Sequence, residues 1–328
     1  MDEMNFDHLN EGIRELARTG SKEERIAAIN TKVYIHHPAV TIGLMQLKDL
    51  VKNDCGIRPC GGVIVGEPGS GKSELVDALG RGIASDAERD GTVAAEVVRF
   101  EPTLDGDPDL LLREIADAVG ASGAGGKDLF RETAEQIKQR RLAAVCLDDL
   151  HDLFRQANKA SRKEIPQWRV NACLKLIRML MNTTLVPFLF TMVPSAVRFL
   201  IADDQLDSRI QKRVVLPLWG ADRDFVEFLK KLEREFPLKR PSNLGRLEVA
   251  RWLSKNTKST RVITQMIREG MRIAVMLDRE SVSLSLLKQL YPAASMSSAA
   301  AKAAVKRTQS AVSDSAPTAG ALEDGFVP

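Results

Sequence analysis

Eight residues carry the most easily named chemistry in this chain: Gly66-Glu67-Pro68-Gly69-Ser70-Gly71-Lys72-Ser73, with Glu74 directly after them. The spacing Gly-x-x-x-x-Gly-Lys-Ser is that of a phosphate-binding loop. Its glycines let the backbone turn several N–H groups inward, where they can cradle phosphate oxygens. Lys72 is expected on the β and γ phosphates of ATP and the Ser73 hydroxyl on Mg²⁺. A Gly-rich turn without a ligand is the competing possibility, and the flanks argue against it. Gly62-Val63-Ile64-Val65 reads as a short buried strand, and Ser73 to Leu79 reads as a helix whose N-terminal dipole faces the anion.

A nucleotide also needs a carboxylate at the end of a neighbouring strand. Ala143-Ala144-Val145-Cys146-Leu147-Asp148-Asp149 supplies an apolar strand ending in two of them. Asp148 is expected to position Mg²⁺, and Asp149 to orient or deprotonate an attacking water. Two adjacent acids could equally cap a solvated turn, but beside a phosphate loop the catalytic assignment is preferred.

The elements that must hold these residues alternate along the chain. Strands are predicted at 62–65, 95–100, 142–147, 186–191 and 213–216, and helices at 72–84, 108–119, 127–140, 168–182 and 195–202. This order implies an α/β core with a mostly parallel sheet covered on both faces. Residues 1–60 are predicted to be mainly helical, with Phe6, Leu9, Ile13, Leu16 and Ala17 at amphipathic spacing and a further helix at about 39–52. The core spans 61–219. Over 220–292, Phe225, Phe228, Leu229, Leu232 and Phe236, then Val262, Ile263, Met266, Ile267 and Ile273, recur at helical spacing and predict a small all-helical lid. Ser281 is the expected cap of its last helix. Residues 293–328 are rich in Ala, Ser and Thr, too poor in large apolar groups to offset ordering entropy, and are expected to be a disordered tail.

Composition narrows the function classes. The 328 residues are 44% hydrophobic and 28% charged, ordinary for a globular protein, and 47 basic against 44 acidic residues leave a net charge of +3. Any nucleic-acid surface must therefore be local. No apolar run approaches a membrane span and the N-terminus does not resemble a secretory signal, so no membrane partner is expected and the cytoplasm is the expected location. Cys55, Cys60, Cys146 and Cys173 lack paired metal-ligand spacing and are read as reduced thiols. His36 and His37 lack a third ligand, and His151 is read as a core or polar-network histidine.

With both halves of the site in hand, a family resemblance emerges. AAA+ ATPases carry Asp-Glu at this place, and Asp148-Asp149-Leu150-His151 resembles the Asp-Glu-x-His form of the TniB/TnsC transposition ATPases. Other segments follow in the same order: Arg25-Ile26, His37-Pro38, Asn171 with Leu174 and Leu180, Asp204-Gln205-Leu206 before Arg209, and Leu216-Pro217-Leu218-Trp219. The similarity covers roughly residues 20–290. Asp149 departs from it by being one methylene shorter than Glu, so slow hydrolysis is expected. Phe190-Thr191-Met192 lacks the family's Gly-Thr, which leaves Thr191 as the candidate polar sensor.

The resemblance implies an AAA+ P-loop core with a helical lid and an ATP-dependent homo-oligomer, a ring or helical filament. It places an arginine finger at Arg209, with Arg213 the second choice and a plain surface arginine the alternative. Arg261, at the start of the main lid helix, is similar to a sensor arginine of related initiator ATPases, and the adenine is expected between Val33-Tyr34-Ile35-His36 and the lid. Duplex DNA, a DDE-type transposase and a TniQ-like targeting protein are the implied partners. For backbone contacts to DNA the candidates are Arg155, Lys159, Arg162 and Lys163, with Arg169 further on, and Lys127 beside Arg131. The alternatives are an AAA+ initiator, helicase loader or defence-signalling ATPase, and, further off, a small-molecule kinase with the same loop.

Overall fold

Among the described residues of the N-terminal segment, α1 (Glu11–Thr19), α2 (Lys22–Asn30) and α3 (Pro38–Lys52) precede the sheet. The computed structural model describes residues 6–31, 38–52, 58–93, 95–103, 106–123, 125–154 and 165–292. The expectations for Val33 to His37, for the basic stretch Arg155 to Lys163 and for the tail beyond residue 292 lie outside these. The chain divides into two compact units, Met1–Val282 and Ser283–Pro328.

The first unit is built on a five-stranded sheet. In chain order its elements are β1 (Gly61–Gly66), α4 (Lys72–Asp90), β2 (Val97–Phe100), α5 (Pro108–Val119), α6 (Gly126–Gln139), β3 (Ala144–Leu147), α7 (Gln167–Thr184), β4 (Phe188–Met192), α8 (Val197–Ile201), α9 (Asp204–Asp207) and β5 (Ile210–Leu216). A short 3₁₀ turn, Leu150–Phe154, follows β3. The strand order is β2-β3-β4-β1-β5, and every pairing is parallel.

Burial explains why the strands read as they do. Every residue of β1, β3 and β4 is buried, as a parallel strand covered on both faces requires. One face packs Val63, Val65, Val145, Leu147, Phe188 and Phe190 under α5, α6 and α7. The other packs Ile64, Cys146, Leu189, Val214 and Leu216 under α3 and α4. The edge strand β5 instead alternates, leaving Gln211, Arg213 and Val215 exposed. It begins at Ile210, three residues before the expected start, because Ile210, Lys212 and Arg213 still pair with β1, with Gln211 passed over at a register shift.

Beyond Trp219, α10 (Arg223–Arg234), α11 (Leu247–Asn256) and α12 (Thr260–Met276) complete the unit. Phe225, Phe228, Leu229, Leu232, Phe236, Ile263, Met266 and Ile267 are all buried. The N-terminal helices are tied to this helical region: Arg25, 2% exposed, donates from Nε to the Pro237 carbonyl at 2.9 Å and from both Nη atoms to the Glu280 carboxylate. Asn10 N–H donates to the Arg234 carbonyl.

Two local expectations need correcting. The last helix, α13 (Leu284–Leu290) in the second unit, is capped by Ser283 rather than Ser281, since it is the Ser283 hydroxyl that accepts the Leu286 N–H three residues on. Cys60 is disulfide-bonded, not a reduced thiol, while Cys146 and Cys173 are free and buried. Sequence spacing alone does not reveal which thiols a fold brings together. Among the described residues no helix is long and apolar enough to cross a membrane.

Candidate nucleotide site

The phosphate loop leaves β1 after Gly66 and enters α4 through Gly71, whose φ of 101° is left-handed and open to glycine at no steric cost. Gly69, with φ 76°, has a second reason to be glycine. A Cβ there would meet the Ser259 Oγ at 2.3 Å, because the loop is seated against the start of α12. The Gly69 carbonyl accepts from the Arg261 N–H at 3.3 Å and from the Ser259 hydroxyl at 3.4 Å. Trp219 fixes that helix start in turn: its indole Nε1 donates to Thr260 Oγ1 at 2.9 Å while its ring packs on Phe225 and Phe228.

Lys72 is 6% exposed. Its ammonium donates to the Gly66 carbonyl at 3.1 Å and the Glu67 carbonyl at 3.4 Å, and lies 3.7 Å from Asp149 Oδ1. Asp148 is buried at the end of β3. One of its oxygens accepts the Thr191 hydroxyl from β4, and the other accepts Arg99 Nη1 from β2 at 2.6 Å. Burial alone would raise its pKa, but hydrogen bonds from Thr191, Ser73 and Arg99 hold the carboxyl below the ordinary carboxylate range. Thr191 also accepts the Asp149 N–H at 2.8 Å. This completely buried threonine therefore ties both acids of the pair to the central strand. Asp149 itself sits at φ 49°, a left-handed conformation that aspartate tolerates better than most side chains.

Lys72, Ser73 and Asp149 open onto a cleft of about 1000 Å³. Pro68 to Glu74 and Asp149 form one wall, and Thr260, Arg261, Thr264, Gln265, Arg268 and Arg272 of α12 form the opposite one. Asn30, Val40, Phe228 and Leu232 supply a less polar surface. Ser70 Oγ, Asp149 Oδ1, His151 Nδ1 and the Nε atoms of Arg268 and Arg272 are buried without a hydrogen-bond partner. The orphaned Ser70, Arg268 and Arg272 donors suit a polar, anionic ligand, while the Asp149 oxygen, an acceptor, suits a water or cation. Ser73 and Asp148 present hard oxygen donors of the kind Mg²⁺ prefers.

Not every expected residue converges here. Arg209 precedes β5 at the opposite, N-terminal end of the strands, where its carbonyl accepts the Gly61 N–H. Five steps along β1 at about 3.3 Å each separate that end from Gly66 by roughly 16 Å, more than an arginine side chain spans. Its guanidinium contacts Asn182 Oδ1 at 3.1 and 3.2 Å and the Gln205 carbonyl. Arg213 is exposed and pairs with Asp207 at 2.6 Å. Lys127 is exposed at the start of α6, Arg131 pairs with Glu135, and Arg169 lies over the exposed Trp168 ring. Sequence reasoning missed Arg99, Asp77 and, beyond Arg261, the α12 stripe. For the stripe a signal existed: Arg261, Thr264, Gln265, Arg268 and Arg272 keep helical spacing opposite the buried Ile263, Met266 and Ile267.

Parallel sheet, strand order, phosphate loop and helical region together define an AAA+ P-loop NTPase fold. Consistent with this, residues 60–200 match the family described as AAA domain. Solved structures with a similar fold include the Aeropyrum pernix ORC1 protein in complex with DNA (16% identity, covering 81% of this chain and 68% of that one, TM-score 0.57). The Aeropyrum pernix ORC2 protein in its ADPNP–ADP complexes gives 15%, 80%, 69% and 0.56, and Drosophila ORC bound to DNA 14%, 90%, 69% and 0.57. No curated protein sequence matches the chain significantly.

Proposed function

We propose that this chain is an ATPase whose site is completed by a neighbouring protomer and whose nucleotide state controls assembly on duplex DNA. The carrying observation is the division of the machinery. Lys72, Asp148 and Asp149 lie at the C-terminal ends of the strands and Arg209 at the N-terminal end of β5, beyond reach within one chain but suited to a head-to-tail contact. Backbone N–H groups of Gly69 to Ser73 and the Lys72 ammonium hold the phosphates. Ser73 and Asp148 would hold Mg²⁺, which would neutralise phosphate charge. Asp149, released from Lys72 by the incoming phosphate, orients water, with Thr191 keeping it in register. Arg261 reports the γ-phosphate to α12 through its link to Gly69. Hydrolysis then withdraws the contact to Arg209 and the assembly dissolves.

For the process served, the motif series from Arg25 to Trp219 supports regulation of DNA transposition, with a DDE-type transposase and a TniQ-like protein as partners. An initiator role is supported by the likeness to origin-recognition structures bound to DNA. Electron microscopy with duplex DNA and a slowly hydrolysed ATP analogue tests the shared premise: rings or filaments should form only with both, and monomers under all conditions would refute it. Salt-sensitive binding indifferent to DNA sequence supports the transposition role, whereas strong preference for one sequence supports the initiator.

A further inference from the structure

We propose that Arg99 is a positioning residue that neutralises the acidic side of the nucleotide site and sets how strongly nucleotide binding depends on Mg²⁺; this rests on the ATP-site assignment above. Arg99 lies on β2 in register with Cys146 of β3, two residues before Asp148. Its guanidinium spans two carboxylates from different elements. Nη1 is 2.6 Å from Asp148 Oδ2, and Nη2 is 3.2 Å from Asp77 Oδ1. Asp77 stands one helical turn after Ser73 on α4 and lines the cleft. With Thr191 on its other oxygen, Asp148 has both oxygens engaged.

The charge count gives this arrangement its consequence. Asp77 and Asp148 flank the Ser73 hydroxyl with two negative charges, which would repel a polyphosphate unless a cation intervened. Arg99 supplies one resident positive charge, so the site tolerates nucleotide before Mg²⁺ arrives and competes with Mg²⁺ for Asp148 once it does. Arg99 is about one-third exposed, and both its partners favour the charged form over the opposing effect of burial. The planar fork is what allows one side chain to serve both acids.

The test is titration of Mg²⁺ against binding of a fluorescent ATP analogue by the full chain. In Arg99→Gln the Mg²⁺ concentration for half-maximal binding should fall about tenfold or more, the effect of removing one positive charge beside a divalent cation in a partly solvated site. In EDTA the same variant should bind the analogue more weakly than wild type, because two unneutralised carboxylates face the phosphates. Arg99→Lys keeps the charge but not the fork, so its midpoint should fall between those of wild type and Arg99→Gln. Asp77→Asn leaves Arg99 to Asp148 alone and should move the midpoint upward, so the proposal stays testable even if Arg99→Gln folds poorly. Unchanged Mg²⁺ dependence in Arg99→Gln, or the same shift in Arg99→Lys, overturns the proposal while leaving the ATP site intact. Wild type that binds no nucleotide at any Mg²⁺ concentration overturns the ATP-site assignment itself.

Discussion

Replacing Arg209 with alanine removes a side chain that cannot touch its own phosphate loop, so any loss of hydrolysis must come from another chain. Its contacts within the protomer are to Asn182 and the Gln205 carbonyl on a half-exposed surface, so stability should change by only about 0.5 kcal/mol. A finger that stabilises transition-state charge contributes about 10³–10⁵ in rate, or about 4–7 kcal/mol of barrier. Arg209→Ala should thus lose nearly all DNA-stimulated ATP hydrolysis while melting at the wild-type temperature. Mixing it with Lys72→Ala restores complete sites wherever an intact Lys72 pocket faces an intact Arg209. In an equimolar mixture about one head-to-tail encounter in four has this order, and only there do bound nucleotide and finger meet, so the mixture should recover up to about a quarter of the wild-type rate. Phosphate release in a coupled assay reads this directly. Full activity of Arg209→Ala alone, or a silent mixture that nevertheless co-assembles, would falsify the shared site.

Three further outcomes can be checked independently. Lys72→Ala removes the charge-assisted bonds to the phosphates and should weaken nucleotide affinity by about 1.5–3 kcal/mol, read by equilibrium titration, with assembly lost in parallel. Asp149→Asn should bind ATP as before yet hydrolyse it about 10²–10⁴-fold more slowly, so that assemblies persist in a light-scattering time course; wild-type disassembly kinetics would count against its role. Arg25→Met leaves the Glu280 carboxylate largely buried without its partner and should cost about 3–5 kcal/mol by chemical denaturation. Glu280 is pulled below its ordinary 4.5, burial opposing and the Arg25 hydrogen bonds and charge prevailing. The pair's contribution is therefore present above pH 4.5 and fades as pH falls through the depressed value, so the gap between variant and wild type should narrow in acid.

What could be read from the sequence was what local order encodes. Gly66 to Ser73 is contiguous, its flanks are a buried strand and a helix, and Asp148-Asp149 ends another buried run. For these the chain neighbours are also the spatial neighbours. Arg99 is different: its meeting with Asp148 depends on β2 pairing with β3, and its meeting with Asp77 depends on where α4 crosses the sheet, neither of which any short window contains. The same holds for Arg25, recognisable only as part of a resemblance, whose partner Glu280 lies 255 residues away. The helix α11 was missed because Val249, Ala250 and Leu253 make a short apolar stripe between polar turns. Positive φ at Asp149 has no local signature at all, yet it gives a physical reason why aspartate suits this position.

The indole of Trp219 gives the molecule an optical handle. It is 1% exposed, whereas Trp168 is 64% exposed and Trp252 half-buried, so its emission should stand apart at shorter wavelength. Its Nε1 bonds the residue that begins α12, next to the arginine whose N–H holds the Gly69 carbonyl of the phosphate loop. With Trp168 and Trp252 replaced by phenylalanine, the remaining tryptophan would follow occupancy of the cleft in real time, without a dye and on the timescale of each turnover.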